Sequence, residues 1–182
     1  PGRAVRIRCV DHGSSRIGAG GFDRRLPASP DHDPVQQAVA AVHAGWRSTA
    51  RRIAARAIEA LAATYGTHAE DCRVAIGPGI RQCCYEVDAA VMDAMRGALP
   101  TWAAHAVATQ PGHFHLDLAG VNRAVLMEAG VRPDRIVDLK LCTACRTDLF
   151  FSHRAERART GRMMNLILLR AENREVRAER RN

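Results

Sequence analysis

The chain has 182 residues, 47% hydrophobic and 25% charged, which is enough apolar material for one domain with a core and too much for a chain disordered throughout. Its formal net charge of +8 rests on arginine, with Lys140 the single lysine, and the excess gathers at the ends: six Arg against three Asp in residues 1–32, five Arg against three Glu in residues 170–182. That distribution is not the basic stripe of a nucleic-acid-binding face, and no apolar run approaches the roughly 20 residues of a membrane span, so neither nucleic acid nor membrane is expected as a partner.

Residues 1–32 are rich in Arg, Gly, Ser and Pro and carry neither alternation nor a helical stripe. They are expected to be an atypical segment, disordered or out of frame with the rest. From Asp33 the character changes. Val35 to His43 reads as a largely apolar strand covered on both faces. Ser48 to Tyr65 reads as a helix with Ile53, Ala57, Ile58, Leu61, Ala62 and Tyr65 on one face, Ser48 or Thr49 as its cap and Gly66 as its stop. Cys72 to Ile76 is predicted as a short buried strand, followed by a Gly77-Pro78-Gly79 turn. A second helix is expected over about Asp88–Leu99 with Val91 and Met95 inward. A third is expected over about Asp117–Ala129, with Asp117 as N-cap, Leu118, Val121, Val125, Leu126 and Ala129 as its stripe, and Gly130 as its stop. Arg135–Leu139 and Met163–Leu169 read as strands, and the Arg/Glu-alternating tail from residue 170 as a frayed helix or coil. The alternation predicts an α/β fold, a layered sandwich of mixed β-sheet with helices packed outside. One domain is expected over residues 33–169, flanked by the atypical segment and the polar tail.

The long connections 77–86, 100–116 and 141–162 hold most of the chemistry-capable residues, as loops over a rigid sheet commonly do. Ala41-Val42-His43-Ala44-Gly45-Trp46-Arg47 places an imidazole, a glycine, an indole and a guanidinium together at a strand end. Glycine permits close approach of a ligand, Trp46 can stack on a planar ring, and Arg47 can fork onto phosphate or carboxylate. In 77–87, Cys83 and Glu86 put a thiol and a carboxylate beside Tyr85, and Glu86 can accept a proton or hold a sugar hydroxyl. Cys142-Thr143-Ala144-Cys145 has zinc-ligand spacing but needs two further donors, from His153 or from the Cys83/Cys84 pair. Phe150-Phe151-Ser152-His153-Arg154 and Thr160-Gly161-Arg162 add a histidine and two arginines, and Arg47, Arg154 and Arg162 can converge as an anion clamp. His113 and His115 read as a helix entry before Asp117, without a metal role. The six cysteines include an adjacent pair and a C-x-x-C, and with no secretory signal pattern they predict a reducing, cytoplasmic setting.

Four segments in this order, AVHAGWR (41–47), GPGIRQCCYEV (77–87), HLDL with VNR (115–123) and LCTAC…LFFSHR…TGRMM (141–164), resemble the laccase-domain, YfiH-like family, once called multicopper polyphenol oxidases. The resemblance covers about residues 33–169 and implies a layered α/β sandwich. It also implies zinc-dependent chemistry on purine nucleosides: phosphorolysis of adenosine, inosine, guanosine and methylthioadenosine, and deamination of adenosine. The implied metal site uses two histidines and a cysteine, the last of them the histidine of HAGW, here His43. The other two belong to Q-V-H-G-like and A-D-C-x-P motifs upstream of it, and this sequence has neither.

The resemblance therefore implies zinc as cofactor, purine nucleosides and phosphate as partners, and impaired activity for residues 1–182 alone. The candidate catalytic residues are His43, Arg47, Cys83, Glu86, His153 and Arg154, with Trp46, Tyr85 and Arg162 around the substrate. Three further readings stay open: a copper-dependent phenol oxidase, a thiol hydrolase using Cys83 or Cys84 with His153, and a non-catalytic remnant or binding module.

Overall fold

The structure is a computed structural model and describes residues 3–6, 20–23, 38–157, 160–165 and 167. Its main sheet has five strands in the order β1-β3-β2-β4-β8, formed by β1 (Arg3–Arg6), β2 (Gly20–Asp23), β3 (Ala38–Val42), β4 (Arg73–Ile76) and β8 (Ile136–Asp138). β3 runs parallel to β1, β2 runs antiparallel to both β3 and β4, and β8 runs parallel to β4 with Val74 beside Ile136. A second, antiparallel sheet has the order β5-β7-β6, from β5 (Glu86–Asp88), β6 (Ala106–Gln110) and β7 (His113–Leu116). The described residues also form four α-helices, α1 (Trp46–Ala50), α2 (Ile53–Tyr65), α3 (Ala89–Arg96) and α4 (Leu118–Glu128), and three short 3-10 turns at Ala69–Asp71, Trp102–His105 and Pro133–Arg135. Sheets and outer helices together make the mixed α/β sandwich that the alternation predicts.

The core forms where apolar stripes meet. Ile53, Ala57, Ile58 and Leu61 of α2 are buried, as are Leu118, Val121, Val125 and Leu126 of α4, against Ala40 and Val42 of β3 and Val74 of β4. Alanine at 54, 55 and 57 brings α2 close to β3 at little entropic cost. Asp117 caps α4 as expected, its carboxylate accepting the Gly120 N–H at 2.9 Å. Gly130 follows at φ 93°, a left-handed conformation that relieves the helix end. α3 is shorter than the expected 88–99: it is capped by Asp88 and gives way to Gly97, and its buried residues are Met92 and Met95, with Val91 only half-buried.

Four expectations need correction. The single helix over 48–65 is two helices, because Arg52 adopts φ 57° between them. Its guanidinium is held there by the Ala98 carbonyl at 2.6 Å and the Glu128 carboxylate at 2.9 Å, contacts that offset the left-handed backbone. Neither Ser48 nor Thr49 caps this region. Gly45 is the N-cap of α1, while the Ser48 hydroxyl turns back to the carbonyls of His43 and Gly45. His113 and His115 lie on β7 rather than at a helix entry, since Leu116 still pairs with Ala106 before Asp117 begins the cap. The predicted strand over 163–169 is not formed at residues 163–165 or 167, which carry no regular structure, and its other positions lie outside the described residues.

Candidate functional site

β3 delivers the chain to His43-Ala44-Gly45, and α1 starts at once with Trp46 and Arg47. Ser48, buried in α1, ties this junction from inside by donating to the His43 carbonyl at 3.1 Å and the Gly45 carbonyl at 3.0 Å. Asn122 of α4 donates to the Thr49 hydroxyl at 2.9 Å and to the Leu118 carbonyl at 2.8 Å, locking α1 to α4. Arg123 donates to the carbonyls of Ile136 at 3.0 Å and Pro133 at 3.3 Å, fastening α4 to the start of β8. Asn122 and Arg123 of the VNR segment thus brace α4 against α1 and against the start of β8.

Above this junction sits Tyr85, 3% exposed. The Arg154 guanidinium lies 5.6 Å from its ring centroid and donates to the Glu86 carbonyl at 3.0 Å. Arg47 lies 4.3 Å from the centroid of the Trp46 ring and is close enough to act on the Tyr85 phenol as well. Burial pushes that phenol up to about 12, and the positive charges of Arg154 and Arg47 hold back part of the rise. One guanidinium, that of Arg154, thus lies over the buried phenol, and the charge of Arg47, on a segment more than a hundred residues away in sequence, also acts on it.

Arg154 is aimed by a local turn. Buried Ser152 accepts the Ala155 N–H at 3.3 Å on its hydroxyl, and the Glu156 carboxylate accepts the Ser152 N–H at 2.8 Å and the Thr160 hydroxyl. Those donors, Thr160 first and then Ser152, hold the Glu156 carboxyl below the usual carboxylate range. Gly161 fits under the Phe151 ring, where a Cβ would come within 2.7 Å of ring carbons. Glu86, on β5, places its carboxylate 3.6 Å from His113 Nδ1 and pairs across the strands with His115. His153 and Arg162 are exposed, and among the described residues no hydrogen bond or ion pair holds Arg162 beside Arg47 and Arg154.

The thiols form a second group. Cys83, Cys84, Cys142 and Cys145 bring their sulfur atoms within 4.8 Å of one another. The Cys83 and Cys84 thiols are raised above the ordinary thiol value, by burial first and then by the neighbouring thiols. Cys142 goes the other way: burial alone would raise it, but backbone N–H groups of Arg81, Cys145 and Ala144 directed at its sulfur bring it down to about 7. Two loops are fastened to make this arrangement. Gly79 and Cys142 form a parallel β-bridge, and Arg81 forks onto Asp138 at 2.6 and 2.9 Å while donating to the carbonyls of Gly77 and Leu141. Sequence reasoning missed Arg81, one arginine among many. Its signal was its place in a tight turn, where a fork can close the loop on itself.

Among the described residues the four cysteines are the one group of three or more metal-capable donors that gathers, and His43 is not in it. The donors present around His43 therefore do not amount to the two-histidine, one-cysteine set. An apolar cavity adjoins both groups, lined by Ala44 next to His43, by Gly79 and Arg81 of the thiol loop, and by Val42, Val74 and Leu118. None of the predicted site residues lines it.

A family model described as multi-copper polyphenol oxidoreductase laccase matches residues 32–170. The chain is 39% identical over 137 residues to a Bacillus subtilis protein named purine nucleoside phosphorylase YlmD, covering 75% of this chain and 49% of that one. It is 39% identical over 127 residues to adenosine deaminase RL5 of an unknown prokaryotic organism, covering 68% of this chain and 47% of that one. The crystal structure of the Bacillus licheniformis hypothetical protein YfiH superposes with a TM-score of 0.70 at 36% identity, over 80% of this chain and 52% of that one. The chain thus spans about half the length of the curated relatives it matches.

Proposed function

The chain belongs to the multi-copper polyphenol oxidoreductase laccase family, and from that premise we propose that it carries the phosphate- and nucleoside-facing part of a purine nucleoside phosphorylase site. The observation that carries this reading is the Arg154 guanidinium over the buried Tyr85 ring, with the positive charge of Arg47 near enough to act on the same phenol. Two guanidiniums around a phenol that stays neutral offer an electropositive seat with one hydroxyl donor, which suits a phosphate dianion. Trp46, already stacked with Arg47, presents a planar surface to a purine. Glu86, held beside His113, is the group for a ribose hydroxyl.

In this reading a phosphate oxygen forms a bond to the anomeric carbon of the ribose. The C–N glycosidic bond breaks, its electron pair leaves with the base, and the base takes up a proton, giving ribose 1-phosphate and a free purine. Arg47 and Arg154 hold the attacking phosphate and orient it, which is where binding energy does most for a two-substrate reaction. The described donors around His43 do not form the two-histidine, one-cysteine set. For the same reason turnover by residues 1–182 alone is weak in this proposal, with adenosine deamination affected alike. The thiol-hydrolase reading is disfavoured, since the nucleophile is a thiolate and both Cys83 and Cys84 are held above the ordinary thiol value.

Calorimetry on the purified chain tests the reading. Inosine in the presence of phosphate should register binding, and Arg47→Met with Arg154→Met should weaken it about 100-fold. Binding that ignores phosphate, or survives both substitutions, sinks the proposal. Robust phosphorolysis by the chain supplied with zinc would support the activity but overturn the weak turnover.

A further inference from the structure

The four-thiol group serves no step above, yet it is the most organised constellation of metal-capable side chains among the described residues. Cys84 and Cys83 place their sulfurs 3.4 and 3.7 Å from that of Cys145, and all four sulfurs lie within 4.8 Å of one another. Zinc bound to four thiolates at about 2.3 Å sets them about 3.8 Å apart along each edge of a tetrahedron. Disulfide sulfurs would sit about 2 Å apart. A multi-iron cluster needs room between the cysteines for its own iron and sulfide, and these sulfurs leave none.

We propose that Cys83, Cys84, Cys142 and Cys145 hold one zinc ion as a structural clamp between the 77–85 and 139–146 loops, separate from any metal at His43.

A further feature fits a built metal site. The loops are joined independently of the thiols, by the Gly79–Cys142 bridge and the Arg81–Asp138 fork, so the ligands arrive preorganised. A four-cysteine shell leaves no open position, which makes the site structural rather than catalytic. Its consequence for the neighbouring site is mechanical. Tyr85 follows Cys84 directly, so the clamp fixes the backbone from which the buried phenol extends. The inference stands apart from the nucleoside reading, and either can fail without the other.

Zinc analysis of the full chain, purified under reducing conditions without chelators, tests it. About one zinc per chain is expected, kept in His43→Ala and lost in Cys142→Ser with Cys145→Ser. Because Cys142 is buried and that variant can fail to fold, the exposed Cys83→Ser supplies the second arm. With cobalt chloride in place of zinc, the intact chain should show the strong visible bands of a tetrahedral site and thiolate-to-cobalt charge transfer, both weakened in Cys83→Ser at unchanged far-ultraviolet dichroism. Absence of stoichiometric metal after reconstitution with zinc sulfate would overturn the proposal. So would zinc that follows His43 instead of the cysteines, cobalt spectra indifferent to Cys83, or a disulfide between any two of the four in protein kept reduced.

Discussion

Tyr85 shows what a single residue contributes here. Its phenol ionises near pH 12 in the folded chain, against an ordinary value of 10.0, because burial outweighs the two nearby guanidiniums. Below pH 10 folded and unfolded chains both carry the neutral phenol, and the full stability is present. Above pH 10 the unfolded chain ionises first, so stability falls until the folded group follows near pH 12. At pH 11 the loss is about 1.4 kcal/mol. Urea unfolding at pH 9 and pH 11 should therefore show a larger drop for the native chain than for Tyr85→Phe, by about that amount. Equal drops would mean that the phenol is not held neutral by its surroundings. The other titratable groups are common to both proteins and cancel. At this scale the sequence was readable in part. It singled out Tyr85, Arg47 and Arg154 by type and segment. It could not show that Arg81 would fork onto Asp138, or that Ser152 and Glu156 would form the turn that aims Arg154, because both depend on how separate loops come to lie.

At the scale of elements, regularity in the sequence was a good guide wherever one face is buried. The α4 stripe, its Asp117 cap and its Gly130 stop are all present. Replacing Asp117 with alanine leaves the Gly120 N–H without its side-chain acceptor at 2.9 Å and should cost about 1 kcal/mol. Chemical denaturation should show that loss, whereas Asp117→Asn should recover most of it. A loss of similar size in both would assign the effect to charge rather than to the cap. The same logic explains what could not be read. β6 is exposed along most of its length and β5 has three residues, so neither presents the apolar alternation that marks a half-buried strand. The break at Arg52 was invisible because arginine has no left-handed preference. It stands where it does because Ala98 and Glu128 receive its side chain.

For the whole molecule, the proposed phosphate seat draws on three distant segments: Arg47 at the start of α1, Tyr85 before β5 and Arg154 after β8. A ligand that bridges them binds the folded chain and has no counterpart site on the unfolded one, so it must raise global stability by mass action. Inorganic phosphate at about 100 times its Kd would add about 2.7 kcal/mol, a shift of about 5–10 °C in Tm for a chain of this size. Phosphate also stabilises proteins non-specifically by exclusion from their surface. That part should survive in Arg47→Met with Arg154→Met, while the saturable part should vanish. Thermal melts of both proteins across a phosphate series separate the two: a curve that saturates for the native chain against a shallow, unsaturating rise for the variant. Parallel shallow rises would mean that the two guanidiniums do not share an anion. The site would then keep its folded geometry, and the reading built on phosphate would fall.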